Sequence, residues 1–323
     1  MPTGKQVVNL LKAIKYKQNN SIKNIGKEIY DYEEGKGHNR LSKEILSLCK
    51  SISKQKGAKL KNIPVDPKSR LDLAQTRDYD IGLDDVVLSN ENKNKVDNFF
   101  TEYEKRELFL SYDLQPITKL LFCGESGCGK TTLAKAISYE LSYPLLYVDL
   151  SATITSYLGE TSKNMSKIFK FARQEPCVLF LDEFDAIART RKDRAKQDVQ
   201  EMTRLVNTLL QILDNYINDT VVIAATNLES QLDKAIFRRF DSILKFKKPA
   251  PEEVRQTIKL KLRRFPYKKE ILSNISDFKG CTHAEVEDVC FSAIKHCLIN
   301  DLDEITKKVF YKAINEALIK NGK

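Results

Sequence analysis

Residues Gly124 to Thr132 read Gly-Glu-Ser-Gly-Cys-Gly-Lys-Thr-Thr, directly after the apolar run Leu120 to Cys123 and directly before a helix-forming stretch, Leu133 to Leu141. Gly124, Gly129, Lys130 and Thr131 meet the spacing G-x-x-x-x-G-K-[ST]. Glycines let such a loop turn until successive N–H groups point inward at an anion, and the helix behind it contributes the positive end of its dipole. The chemistry predicted is capture of a nucleotide polyphosphate, ATP as substrate and ADP as product. Gly124, Glu125, Ser126, Gly127, Cys128, Gly129 and Thr132 would surround the phosphates. Lys130 would reach the β- and γ-phosphates, and the Thr131 hydroxyl would ligate Mg²⁺.

Three further segments carry groups that such a reaction needs. The apolar run Cys177 to Leu181 ends in Asp182, Glu183, Phe184 and Asp185. Acids after a strand are often a solvated turn, but beside a phosphate loop Asp182 would hold the metal, and Glu183 would orient and deprotonate the attacking water. The run Val221 to Ala225 ends in Thr226 and Asn227, whose uncharged amide can hydrogen-bond the γ-phosphate or the water without competing for the cation. Arg238 and Arg239 follow in Ala-Ile-Phe-Arg-Arg-Phe-Asp; a guanidinium brought to the transferring phosphoryl group accelerates hydrolysis by roughly 10³ to 10⁵.

These residues need a scaffold that brings four chain segments together. The runs Leu120 to Cys123, Leu145 to Val148, Cys177 to Leu181, Val221 to Ala225 and Ile243 to Phe246 are apolar at nearly every position, as in strands covered on both faces. Separated by helix-length segments, they predict an α/β domain over residues 79–248 with a parallel sheet between helices. Pro249 and Pro251 mark a boundary, and residues 249–323 read as a helical lid in which Thr282 and Glu285 form a capping box. Residues 1–50 read as a small N-terminal helical domain with three apolar faces: Val7 to Ile14, Ile22 to Ile29, and Leu41 to Cys49. Residues 51–78 hold two prolines and many lysines without periodicity and read as a linker.

Composition narrows the function classes. Residues 1–78 hold 17 Lys and Arg against 8 Asp and Glu, while the remainder holds 37 against 36, so the net charge of +10 belongs to the N-terminal quarter. An acidic partner such as nucleic acid, or simply a solvated basic surface, accounts for that bias. Seven cysteines without a Cys-x-x-Cys pair read as reduced thiols. His38, His283 and His296 are scattered and offer no Ser-His-Asp constellation. No apolar run reaches membrane-spanning length and lysines interrupt the N-terminus, so neither a membrane helix nor a secretory signal is expected; the expectation is a cytoplasmic protein.

From about residue 80 to 320 the chain resembles the AAA ATPases, in the phosphate loop, VLFLDEFDAI, VVIAATN, LDKAIFRRFD and a helical lid, in that order. The resemblance implies a P-loop NTPase with a five-stranded parallel sheet in the order 5-1-4-3-2. It also implies a ring, usually a hexamer, in which Arg238 and Arg239 enter the site of the adjacent subunit, with Arg204 at an interface position. The family's lid often presents Gly-Ala or an arginine to the nucleotide; here His283 and Ala284 stand there. The adenine contact would come from Asp85 to Val87 or from Asp80 to Gly82. Tyr157, Leu158 and Gly159 match the pore-loop trio with which protein unfoldases of this family grip a polypeptide, and residues 190–196 could form a second, basic pore loop. The N-terminal unit looks similar to that of prokaryotic AAA ATPases often encoded beside a subtilisin-like protease and associated with defence against phage. The expected function is protein remodelling or unfolding; the alternative is a nucleic-acid-directed ATPase using the basic N-terminal region.

Overall fold

In a computed structural model, the chain is described at residues 19–36, 38–52, 63–65, 72–77, 79–156, 158–174, 176–189, 196–215, 220–229, 232–273 and 275–320. The apolar runs form strands β2 (Lys119–Gly124), β3 (Leu145–Asp149), β4 (Val178–Asp182), β5 (Val221–Thr226) and β6 (Ser242–Phe246). These pair in parallel as β3-β4-β5-β2-β6, which is the expected order 5-1-4-3-2 read from the other edge. One strand was not foreseen. Gln75–Arg77 forms β1 and pairs antiparallel with β3, Thr76 opposite Leu146, so the sheet has six strands. The stretch read as linker therefore contributes to the sheet, with Leu73 and Ala74 buried beside it.

Alternation within each run sorts side chains onto two faces. Leu121, Cys123, Leu179, Leu181, Val222 and Ala224 meet Ile168 and Phe169, and Leu205, Leu209 and Leu213, in one core. These come from α7 (Leu158–Ala172) and α9 (Lys196–Asp214), which follow α6 (Leu150–Ser156) and flank α8 (Ala186–Arg189). On the other face Leu120, Phe122, Val178, Phe180, Ile223 and Ala225 pack on Val96 and Phe99, and on Leu133 and Ile137. Those residues belong to α3 (Asn90–Glu104) and α5 (Lys130–Leu141), between which lies α4 (Arg106–Ser111). At about 1.5–3 kcal/mol for each large apolar side chain fully buried, the two cores hold the strand ends in register. The site inherits that rigidity.

Ahead of the sheet, α1 (Asn19–Gly35) and α2 (Asn39–Ile52) form an antiparallel pair carrying the second and third apolar faces; residues 7–14 lie outside the described residues. Beyond the four-residue α10 (Lys234–Phe237) and β6, the chain is chiefly helical: α11 (Pro251–Lys261), two 3₁₀ turns, α12 (His283–Ile299) and α13 (Lys307–Lys320). Val254, Ile258, Val286, Cys290, Phe310 and Ala313 make a third core there. Pro251 opens α11, where its missing N–H costs nothing. The Thr282–Glu285 capping box is present: Thr282 N–H donates to Glu285 Oε2 at 2.7 Å, and Glu285 N–H to Thr282 Oγ1 at 3.3 Å.

Candidate active site

The loop between β2 and α5 needs glycine for a steric reason. Gly124 has φ of +152°, and a Cβ there would lie 2.0 Å from the Phe246 carbonyl oxygen of neighbouring β6. Gly127 and Gly129 also have positive φ. The loop thus curls over the first turn of α5, where Lys130, Thr131 and Thr132 sit, while Glu125 and Ser126 are exposed and Cys128 is buried.

Lys130 folds back into the loop and is 7% exposed. Its ammonium donates to the carbonyls of Gly124 at 2.6 Å and Glu125 at 2.8 Å, and to Asn227 Oδ1 at 2.8 Å. Burial pulls its pKa below the usual lysine range, opposed by Cys128 and by the carboxylates of Asp182 and Asp185. The phosphate-loop lysine and the amide at the end of β5 thus meet.

Asp182 ends β4. Its Oδ1 accepts from the Glu183 N–H at 2.9 Å, and its Oδ2 from the Tyr147 hydroxyl at 3.1 Å. Burial raises its pKa, against the pull of the Glu183 N–H, the Tyr147 hydroxyl and Lys130. Glu183 is exposed and has φ of +51°, a left-handed conformation costing a non-glycine residue about 1–3 kcal/mol. Flanking bonds impose it: Phe184 N–H donates to Ala225 O at 2.8 Å, and Ala186 N–H to Glu183 O at 2.8 Å.

One contributor was not singled out from sequence. Asp185, 1% exposed, accepts from Thr226 Oγ1 at 3.2 Å and from the Asn227 N–H at 3.1 Å. It ties the end of β5 to the turn after β4 and thereby places the Asn227 amide. Its signal was an acid in the chain beside Asp182 and Glu183, which reads as part of a solvated turn until burial is known.

The lid touches the loop through its backbone. The Ala284 N–H donates to Gly127 O at 3.0 Å, and a Cβ on Gly127 would come within 3.0 Å of Thr282 Oγ1 and 3.2 Å of the Ala284 Cβ. His283 instead turns inward within the lid, its Nδ1 3.0 Å from Thr257 Oγ1. Burial lowers its pKa, with Glu253 opposing. A cavity of about 220 Å³ beside the loop is walled by Val87, Cys128, Phe246, Glu253 and His283 among others. Of the two candidate segments for the base, Asp85–Val87 borders this cavity through Val87, while its Asp85 is paired with Arg263 of the lid region at 2.6 Å; Asp80–Gly82 is not part of the cavity wall.

Arg239 pairs with Asp214, whereas Arg238 and Arg204 are exposed. Leu158 and Gly159 open α7; Tyr157 lies outside the described residues, as do residues 190–195 of the second candidate pore loop. Cys123, Cys128, Cys177, Cys281, Cys290 and Cys297 are buried free thiols, and burial pushes the Cys123 and Cys290 pKa values up to about 12.

The residues present fit the groups their pattern implies. Three glycines at positive φ, a buried ammonium and a helix N-terminus make a cradle for polyphosphate. A hydroxyl and a carboxylate are the hard oxygen donors that Mg²⁺ takes alongside phosphates and water.

The family model for the "ATPase family associated with various cellular activities (AAA)" matches residues 120–248. The chain is 34% identical over 320 residues to an uncharacterized AAA family ATPase, y4kL, of Sinorhizobium fredii, covering 98% of this chain and 96% of that one. It is 32% identical over 223 residues to a proteasome-activating nucleotidase of Methanocaldococcus jannaschii, covering 66% of this chain and 51% of that one. A 26S proteasome regulatory subunit 8 homolog of Encephalitozoon cuniculi is 33% identical over 223 residues, covering 67% and 57%. With this fold and this site, the chain belongs to the AAA ATPase family. It binds nucleotide and hydrolyses ATP. No helix among the described residues is long and apolar enough to cross a membrane.

Proposed function

We propose that the chain is a Mg²⁺-dependent ring ATPase, a hexamer, that uses ATP hydrolysis to remodel or unfold polypeptides. The observation carrying the catalytic part is the meeting of Lys130 and Asn227 beside the acids that end β4. Lys130 and the loop N–H groups bind the phosphates, and Thr131 and Asp182 hold the cation. Glu183 accepts the proton of the attacking water, and Asn227 orients that water or the γ-phosphate. When bound, Mg²⁺ supplies charge neutralisation on the phosphate oxygens. An arginine from the next copy completes the site.

The remodelling part rests on the Tyr157-Leu158-Gly159 trio and on relatives whose names tie them to the proteasome. An aromatic face packs against any side chain or backbone, which suits a grip without sequence preference. Because His38, His283 and His296 are scattered and offer no Ser-His-Asp constellation, we infer that any proteolysis comes from a partner protease. The resemblance of the N-terminal unit points to a subtilisin-like enzyme in a defence setting. The test is ATP turnover of the full chain with and without a permanently unfolded polypeptide. Stimulation that disappears in Tyr157→Ala supports a gripping loop, and no stimulation of the wild-type protein counts against it.

A second reading, a nucleic-acid-directed ATPase, is favoured by the excess of nine positive charges in residues 1–78. DNA binding that weakens steeply with salt and is lost on deleting residues 1–60 would replace the first reading with this one.

A further inference from the structure

Two adjacent arginines end the turn after α10, and the fold holds them differently. Arg239 Nε and Nη2 donate to the two carboxylate oxygens of Asp214 at 3.0 and 3.2 Å, and Nη1 donates to the Ala235 carbonyl at 2.9 Å. All three guanidinium nitrogens are engaged within the chain, in the fork-on-carboxylate geometry that is the strongest arrangement open to arginine. Asp214 is the last residue of α9, so this pair fastens the arginine turn to a helix packed against the sheet core. Arg238 is exposed, with φ of −70° and ψ of −12°, and makes no hydrogen bond or ion pair with any described residue. Its planar fork is free to meet phosphate oxygens outside its own chain.

We propose that Arg238 alone is the guanidinium delivered to the triphosphate bound by a neighbouring copy, and that Arg239 is a positioning residue that holds the turn through Asp214. This rests on the reading that copies complete one another's sites. The two residues share type and sequence context, so the distinction comes from the contacts alone. For Arg239 to reach a foreign phosphate it must first abandon a bidentate carboxylate and a backbone carbonyl. Arg238 abandons only water.

The test uses the full-length chain and compares Arg238→Ala, Arg239→Ala, Arg239→Lys and Asp214→Asn for kcat, KM for ATP and unfolding temperature. Arg238→Ala is expected to lower kcat by about 10³-fold with KM and unfolding temperature unchanged. Arg239→Ala and Asp214→Asn should resemble each other, with a lowered unfolding temperature and a kcat loss of no more than about fivefold, the scale of a partly exposed ion pair. Arg239→Lys, which keeps a charge facing Asp214, should recover part of both. An inactive Arg239→Ala of unchanged unfolding temperature beside an active Arg238→Ala overturns the assignment while leaving shared sites intact. Mixing the inactive arginine variant with Lys130→Ala examines the shared sites themselves. Turnover above that of either component supports them, and none in mixtures made with each arginine variant overturns them together with this proposal.

Discussion

The Lys130 ammonium lies 2.8 Å from the side-chain oxygen of Asn227, joining the start of α5 to the end of β5 across 97 positions of sequence. An amide there holds the lysine without neutralising it. A carboxylate would bind the same ammonium as an ion pair and compete with phosphate for it. Asn227→Asp is therefore expected to weaken ATP binding by about tenfold or more, at the 1.5–3 kcal/mol scale of hydrogen bonds to charged groups. Asn227→Ala should leave binding near wild type and lower turnover. Titration of a fluorescent ATP analogue, paired with a steady-state ATPase assay, separates the two effects.

The contact between phosphate loop and lid is expected to make Gly127 intolerant of a side chain. At φ of +76° an L-residue costs about 1–2 kcal/mol by conformation alone, and the added Cβ meets Thr282 Oγ1 at 3.0 Å. Gly127→Ala should lower the urea midpoint of unfolding and weaken nucleotide binding together, because the loop and the start of α12 share the strain. A variant with unchanged midpoint and affinity would show that the lid does not bear on the loop.

His283 gives the lid a pH dependence of definite sign. Burial lowers its folded-state pKa below the ordinary value of 6.5, so the unfolded chain binds the proton more readily. Its contribution to stability is complete above pH 6.5 and is lost as pH falls through the folded-state value. The unfolding temperature should therefore drop more steeply from pH 7.5 to pH 5 in the wild type than in His283→Gln, where an amide can still reach Thr257. Parallel slopes in thermal melts of the two proteins would refute the assignment.

What could be read from sequence followed from how strongly local chemistry constrains each part. Strands buried on both faces announced themselves as unbroken apolar runs, and the Gly124–Thr131 spacing is dictated by phosphate geometry. The edge strand Gln75–Arg77 escaped because three residues with polar side chains carry no periodicity; only pairing with β3 makes them a strand. Asp185 escaped because its burial arises from packing against Thr226 and Asn227, 41 and 42 positions away. The difference between Arg238 and Arg239 rests on Asp214, 25 positions before the latter, and no local pattern reports it. The Gly127–Ala284 bond escaped too, since it is made by backbone groups that every residue has.

Glu183, at the left-handed turn that leaves β4, is the proposed base for the attacking water. Glu183→Gln keeps size and polarity and removes only the capacity to take a proton. ATP affinity of this variant should stay within about threefold of wild type while single-turnover hydrolysis falls by 10²-fold or more, the span of general-base catalysis at about 10² to 10⁴. Hydrolysis at the wild-type rate in Glu183→Gln would contradict the assignment of the reaction to this edge of the sheet.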